Sequence, residues 1–274
     1  MKNPLSTLFG MLTLTGLLAV TASAQDTTFR DLVRKKLTKD PTVTVAGLKG
    51  TDTVQALEYT VLLRTTTNGK VEEKAVDPKS YQFKVGDEIR VLIKPMNQMN
   101  IYIFHEGASA KKVCLLPTEE EKPPVTKAGI DLVLPEDGYF EFANPPGDEK
   151  LVVVATEKPD LDLASMANAL FKKEGDKLTP TEAAEIKKLN ARVDKVLSSQ
   201  NKKLEAKTTY RSLLNEKAVA ESGKAMESGE RTMAVLEEAP NAQENSTFVM
   251  AVGASGGGRP HLYVNIPLRS VDQK

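Results

Sequence analysis

The chain has 274 residues with 37 Lys and Arg against 37 Asp and Glu, and a single Cys. So even a charge balance excludes the one-signed field of a nucleic-acid binder or of a general attractor to anionic membranes. One Cys excludes an internal disulfide, so stability must come from packing, which this length allows.

Lys2 precedes an apolar stretch over residues 8–20, and Ala22-Ser23-Ala24 follows. A charged start, an apolar middle and a small-residue A-x-A site predict a signal peptide over residues 1–24, cleaved after Ala24. A retained anchor is the alternative, but the stretch falls short of the roughly 20 apolar residues of a span. The expected product is exported, periplasmic or secreted, with no stable membrane span after leader cleavage. Gln25 becomes its terminus, and no Cys stands there to take a lipid.

Residues 25–42 read as an N-terminal helix and linker. Phe29, Leu32, Val33 and Leu37 fall at helical spacing, with Arg34, Lys35 and Lys36 between them. Docking onto its own domain is the expectation for this short amphipathic helix; a membrane-surface role for its basic face is the alternative.

Across 43–158 the texture changes to short runs of Val, Ile, Thr, Tyr and Phe separated by Gly, Pro, Asn and Asp. The fold class expected is mainly β: an antiparallel β-sandwich, immunoglobulin-like or related. Asn68-Gly69 predicts a tight hairpin turn, and Pro135-Glu136-Asp137-Gly138 another turn. Leu151 to Ala155 is continuously apolar, which predicts a central strand covered on both faces.

Residues 159–240 turn helical and predict an insertion after the main strand series, with mobility expected over part of 220–245. One helix is expected over 161–173. A second opens at Thr179-Pro180-Thr181-Glu182, where Thr179 can cap, Pro180 suits the first turn and Glu182 completes a capping box. Ile186, Leu189, Val193, Val196 and Leu197 give that helix one apolar stripe. Residues 241–274 return to β sequence and predict a terminal hairpin that completes the earlier sheets, since two strands alone are marginal in water.

The run Tyr81-Gln82-Phe83-Lys84-Val85-Gly86-Asp87-Glu88-Ile89-Arg90 resembles the opening of the bacterial domain-of-unknown-function family numbered 4384. The likeness continues through Ile101-Tyr102-Ile103-Phe104, Leu115-Leu116-Pro117, Ala128-Gly129, Leu134-Pro135 and Pro146-Gly147-Asp148-Glu149, up to Pro159. Gly86, Gly129 and Gly147 read as turn positions, and Phe83, Tyr102 and Phe104 as β-favouring surface. The resemblance implies a small β domain of exported or surface-associated proteins, sometimes found beside kinase or protease-like modules, and it brings no established activity or catalytic residues.

Few residues gather in a catalytic pattern. Gly253-Ala254-Ser255-Gly256-Gly257 fits G-x-S-x-G, but that elbow needs a strand-to-helix turn and a later acid and His. Here Gly258 and Pro260 lead into another strand, and His261 follows too soon, so a Gly-rich loop is the expectation. Ser109 to Lys112 and Ser199 to Lys202 fit S-x-x-K without a following K-T-G. His105, His261, Cys114 and the neighbouring Glu106 could ligate a metal, yet their spacing predicts no site. No catalytic, cofactor-binding or metal residue is therefore assigned, and no cofactor is expected.

The function expected is a non-catalytic binding or assembly module outside the cytoplasm. Its partner would be a protein or cell-envelope component, with no nucleic acid. One alternative is an exported serine hydrolase using Ser255 and His261; another is a structural or oligomerisation protein acting through its helical segment.

Overall fold

Asn68 and Gly69 adopt φ angles of 54° and 76°. That left-handed pair is the turn geometry whose twist matches two antiparallel strands, and it joins β1 (Thr53–Thr67) to β2 (Lys70–Val76). The computed structural model describes residues 29–42, 44, 48, 52–108, 112–117, 125–160, 163–164, 179–181, 183–184, 187–188, 191, 233–238, 240, 245–253 and 259–272. Within them, helix α1 (Phe29–Thr38) precedes β1 and β2. There follow β3 (Phe83–Lys84), β4 (Glu88–Pro95), β5 (Met99–Glu106), β6 (Lys112–Leu116), β7 (Val125–Thr126), β8 (Leu132–Leu134), β9 (Phe140–Glu141) and β10 (Asp148–Thr156). Last come β11 (Met233–Glu238), β12 (Thr247–Gly253) and β13 (Leu262–Val271).

The strands divide between two sheets. One runs β11-β12-β1-β4-β8, with β2 continuing the β12 edge of β1 and β9 continuing the β8 edge of β4. The other runs β3-β13-β10-β5-β6, with β7 beside β6 on the same edge of β5. All pairings are antiparallel except β3 with β13, where Phe83 lies opposite Ser270 in parallel.

Strand alternation decides what each face does. In β4, Ile89, Val91 and Ile93 are buried while the residues between them are not. Together with Leu57, Tyr59 and Val61 of β1 they meet Ile101, Ile103, Leu151, Val153 and Val264 of the other sheet in one apolar core. Both faces of β10 are covered, as its continuous apolar run predicts: Leu151 and Val153 enter that core, while Val152 and Val154 pack with Tyr102, Phe104 and Leu163. Leu163 is held there because Asp160 caps its turn, accepting the Leu163 N–H at 3.0 Å. On the far side of the first sheet, α1 covers Phe248, Met250 and Val252 with Val33. Val33 is fully buried, which stabilises the docked helix by about 2 kcal/mol.

The strands from Thr247 onward do return to the early ones, but not as a hairpin. β12 pairs with β1 in one sheet and β13 with β10 in the other, so residues 253–262 cross from sheet to sheet. Residues 233–238, expected within the helical insertion, instead form β11 against β12. In the 159–240 stretch, Leu163, Ala164 and several positions from Pro180 to Ala191 are helical. The stripe residues Ile186, Leu189, Val193, Val196 and Leu197 lie outside the described residues, as does the leader with its Ala24 site. Among the described residues no helix is long and apolar enough to cross a membrane.

Candidate functional site

Among the described residues β6 and β9 are each paired on one edge only, and where these borders of the two sheets face each other the core opens to the surface. The opening is a slot of about 180 Å³. Ile89, Phe140 and Phe142 form one wall; Val113, Leu115, Leu151 and Leu268 form the other. His105 and Glu149 are the polar side chains on the core face here, while Glu141 borders the slot but lies across from Glu88, on the face of the first sheet opposite Ile89 and Phe140.

Two local devices shape the slot. Ile103 pairs with Leu116 and Phe104 with Cys114, which leaves Leu115 as the extra residue of a β-bulge. A bulge re-aims a side chain, and Leu115 turns into the slot beside Val113. Opposite, the Lys84–Asp87 turn closes with Asp87 N–H donating to Lys84 O at 2.9 Å and Asp87 Oδ2 accepting the Lys84 N–H at 2.8 Å. Gly86 has a φ of 89°, a conformation that costs glycine no steric penalty. This turn grips Phe142 by its main chain, donating Gly86 N–H to Phe142 O at 2.8 Å and accepting Phe142 N–H on Asp87 O at 3.0 Å. The Phe142 ring stacks on Phe83, centroids 4.7 Å apart, and so makes a fixed wall.

The rim is rich in acid. His105 Nε2 lies 2.7 Å from Glu149 Oε2. Glu106, on the opposite face of the sheet, binds Lys112 at 3.1 Å and Lys150 at 3.2 Å, which keeps both lysines away from the slot. Burial pushes the Glu106 carboxyl up, but hydrogen bonds and charge from those two lysines prevail and hold it below its ordinary value. Glu88, next to Glu141 across the strands, is paired with Arg64. Glu141 is exposed and carries no ion pair among the described residues. An apolar recess with the His105–Glu149 pair on its polar side can hold a group with an apolar body and a hydrogen-bonding neighbour.

A second depression of about 870 Å³ lies between α1 and the first sheet. Its floor is Glu58, nine-tenths or more buried, which pairs with Arg34 and lies 3.7 Å from Arg30. Arg30 is fully buried, with its guanidinium 5.4 Å over the Phe248 ring. Lys94 on the rim is paired with Asp131 at 3.4 Å. These charges fasten the helix to the sheet, and the groove is the docking seam of α1.

The candidate ligands from the sequence do not come together. Cys114 faces outward with Phe104, away from His105, and burial pushes its thiol up to about 12. His105 sits opposite Leu151, whereas His261 precedes Leu262, the partner of Ala155. Roughly five residues of strand, some 16 Å, separate the two rings along β10. Among the described residues no three His, Cys, Asp or Glu side chains converge on a metal position. His261 is exposed, 6.4 Å from the Tyr263 ring, with no carboxylate partner among the described residues, and Ser255 lies outside them. Gly253, the first glycine of that motif, serves packing: a Cβ there would meet Thr53 Oγ1 at 2.7 Å and Pro260 Cδ at 3.2 Å. Gly147 is likewise a close approach rather than a turn position, since its Cβ would lie 2.9 Å from that of Ala108.

Sequence reasoning missed the slot, because its lining residues come from six separate parts of the chain. One local signal was available: Leu115-Leu116 breaks strand alternation, as a bulge does. Arg30 was missed too, since an arginine between helix residues reads as solvated.

Residues 82–159 match the family model described as a domain of unknown function (DUF4384). That segment supplies every slot residue except Leu268. Comparison with curated proteins and with solved structures yields no match.

Proposed function

We propose that the chain works outside the cytoplasm as a non-catalytic β-sandwich module that binds a protein or cell-envelope component at the seam between β6 and β9. The leader pattern of residues 1–24 supports export, and two sheets sharing one core support the sandwich description. The observation that carries the binding role is the slot itself: a concave apolar recess, open to solvent, built almost wholly from the family-matched segment. Every wall residue except Phe142 lies on a strand, and Phe142 is held by main-chain bonds to Gly86 and Asp87, which suits recognition without a moving part.

The test is site-specific photo-crosslinking in envelope extract. Val113 on the slot wall and Val71 on β2 are both exposed, at 39% and 52%, so each can carry benzoylphenylalanine without disturbing the core. A discrete crosslinked species from Val113 but not from Val71 is expected. Equal labelling from both, or none from Val113, refutes binding at the seam.

A further inference from the structure

We propose that β2 pairs edge to edge with β2 of a second copy of this chain, antiparallel and centred on Glu73, so that the first sheet runs on from one copy into the other. This contact lies at a different border from the seam between β6 and β9 and does not rest on binding there.

Backbone geometry supplies the open edge. Ala56 O accepts the Met96 N–H at 2.9 Å, so the even-numbered residues of β1 turn their main chain toward β4 and the odd-numbered ones toward β12 and β2. Val61, Leu63, Thr65 and Thr67 stand opposite Val76, Lys74, Glu72 and Lys70. Those four β2 residues therefore bond to β1, and Val71, Glu73 and Ala75 point their N–H and C=O groups the other way. Among the described residues no strand pairs with that side of β2, and Lys70 to Lys74 are all exposed. A row of unpaired main-chain donors and acceptors is a template for one more strand.

Charge selects the occupant and the register. Laid antiparallel on itself about Glu73, the strand Lys70-Val71-Glu72-Glu73-Lys74-Ala75-Val76 sets each Glu72 against Lys74 of the other copy and each Val71 against Ala75. Two-fold symmetry makes each of these pairs occur twice. Glu72 and Lys74 carry no ion pair of their own among the described residues. Glu73 meets its own copy, but its carboxylate is held by Tyr139 Oη at 2.9 Å and by Arg90 at 3.4 Å. Centring on Glu72 sets Glu72 against Glu72 and Lys70 against Lys74; centring on Lys74 sets Lys74 against itself. Centring on Val71 matches Lys70 with Glu72 but overlaps the strands over Lys70–Glu72 only. Edge charges ordinarily deter pairing; this set deters the other registers and favours one. The border is small beside the roughly 1,600 Å² of a standard interface, so the dimer is weak. At extract dilution it is unformed, which keeps Val71 silent in the crosslinking above.

The experiment follows sedimentation of the mature protein from about 10 µM to about 1 mM. A reversible monomer–dimer equilibrium is expected for the parent chain. Glu72→Lys and Lys74→Glu, each at an exposed position, should each weaken the dimer by about tenfold, because either one turns both attractive pairs into repulsive ones. The two substitutions in one chain restore opposite charges and should return the dimer to within about threefold of the parent. An equimolar mixture of the two single variants should associate more tightly than either alone. Register is read separately: Glu72→Cys mixed with Lys74→Cys should give a disulfide-linked heterodimer on mild oxidation, since directly opposed residues outside the hydrogen-bonded pairs come close enough to bridge, and Cys114 is buried. A parent chain that stays monomeric throughout, single variants that dimerise as the parent does, a double variant no better than the singles, or Glu72→Cys linking to Lys70→Cys instead overturns the proposal. Unchanged thermal midpoints of the monomers exclude misfolding as the cause of any loss.

Discussion

Arg30, on the helix that opens the described chain, donates from Nη2 to the carbonyl of Ser246 at 2.9 Å and to its hydroxyl at 2.6 Å. The two residues are 216 positions apart, and the contact joins α1 to the start of β12 beneath a fully buried guanidinium. Arg30→Met should remove these bonds while keeping the apolar stem. With Glu58 still paired to Arg34, the expected loss is about 2–3 kcal/mol, at the low end for breaking a buried charge network. Urea unfolding measures it as a lower midpoint with an unchanged slope; a midpoint equal to that of the parent chain would show that the Arg30 bonds add nothing to the docking of the helix.

The turn at Gly69 offers a test free of packing effects. A Cβ there meets nothing within 4 Å, yet φ is +76°. Gly69→Val should therefore destabilise by about 1–2 kcal/mol through backbone strain only, with Gly69→Ala costing less. Thermal unfolding of both variants checks the order.

Gln55 lies on the core face of β1, fully buried, and neither its Oε1 nor its Nε2 has a hydrogen-bond partner among the described residues. Leaving an amide dry and unpaired costs about 1–3 kcal/mol. Gln55→Met keeps shape and volume without the polar atoms, so it should raise stability by about 1 kcal/mol. A fall in the unfolding midpoint would mean that the amide is satisfied in solution.

The ion-paired Glu106 makes a pH prediction. Its carboxyl is held below the ordinary 4.5 in the folded protein. A lowered folded value means the contribution is fully present above 4.5 and is lost as pH falls through the folded value. Glu106→Gln should flatten the acid side of the stability profile below pH 4.5, leaving its shape between pH 6 and 8 unchanged. Denaturant midpoints collected across that range supply the comparison; parallel acid limbs in the two proteins contradict the assignment.

Local chemistry made some of this legible from residues alone. Asn68-Gly69 announced its turn because few other pairs tolerate two positive φ angles, and Leu151 to Ala155 announced a central strand because no polar residue marks an exposed face. The docking of α1 followed from the spacing of Phe29, Leu32, Val33 and Leu37. What the sequence hid were relations between distant segments. Nothing near Thr247 or Leu262 states that these strands join different sheets, because a strand's pattern specifies its faces and leaves its edge partner open. Met233 to Glu238 mixes apolar and acidic residues too briefly to stand apart from its helical surroundings. The slot is hidden for the same reason: Phe140, Val113 and Glu149 acquire a common purpose only after β9, β6 and β10 have been brought to one seam.

The pairing of β1 with β12 and of β10 with β13 has a consequence for biosynthesis. A ribosome that has delivered residues 1–246 holds a nascent chain in which the Thr53–Tyr59 part of one border of β1 and nearly all of one border of β10 are still bare. Such borders recruit other strands, so a message truncated within the 160–245 stretch should yield a chaperone client or an insoluble product rather than a shortened working protein.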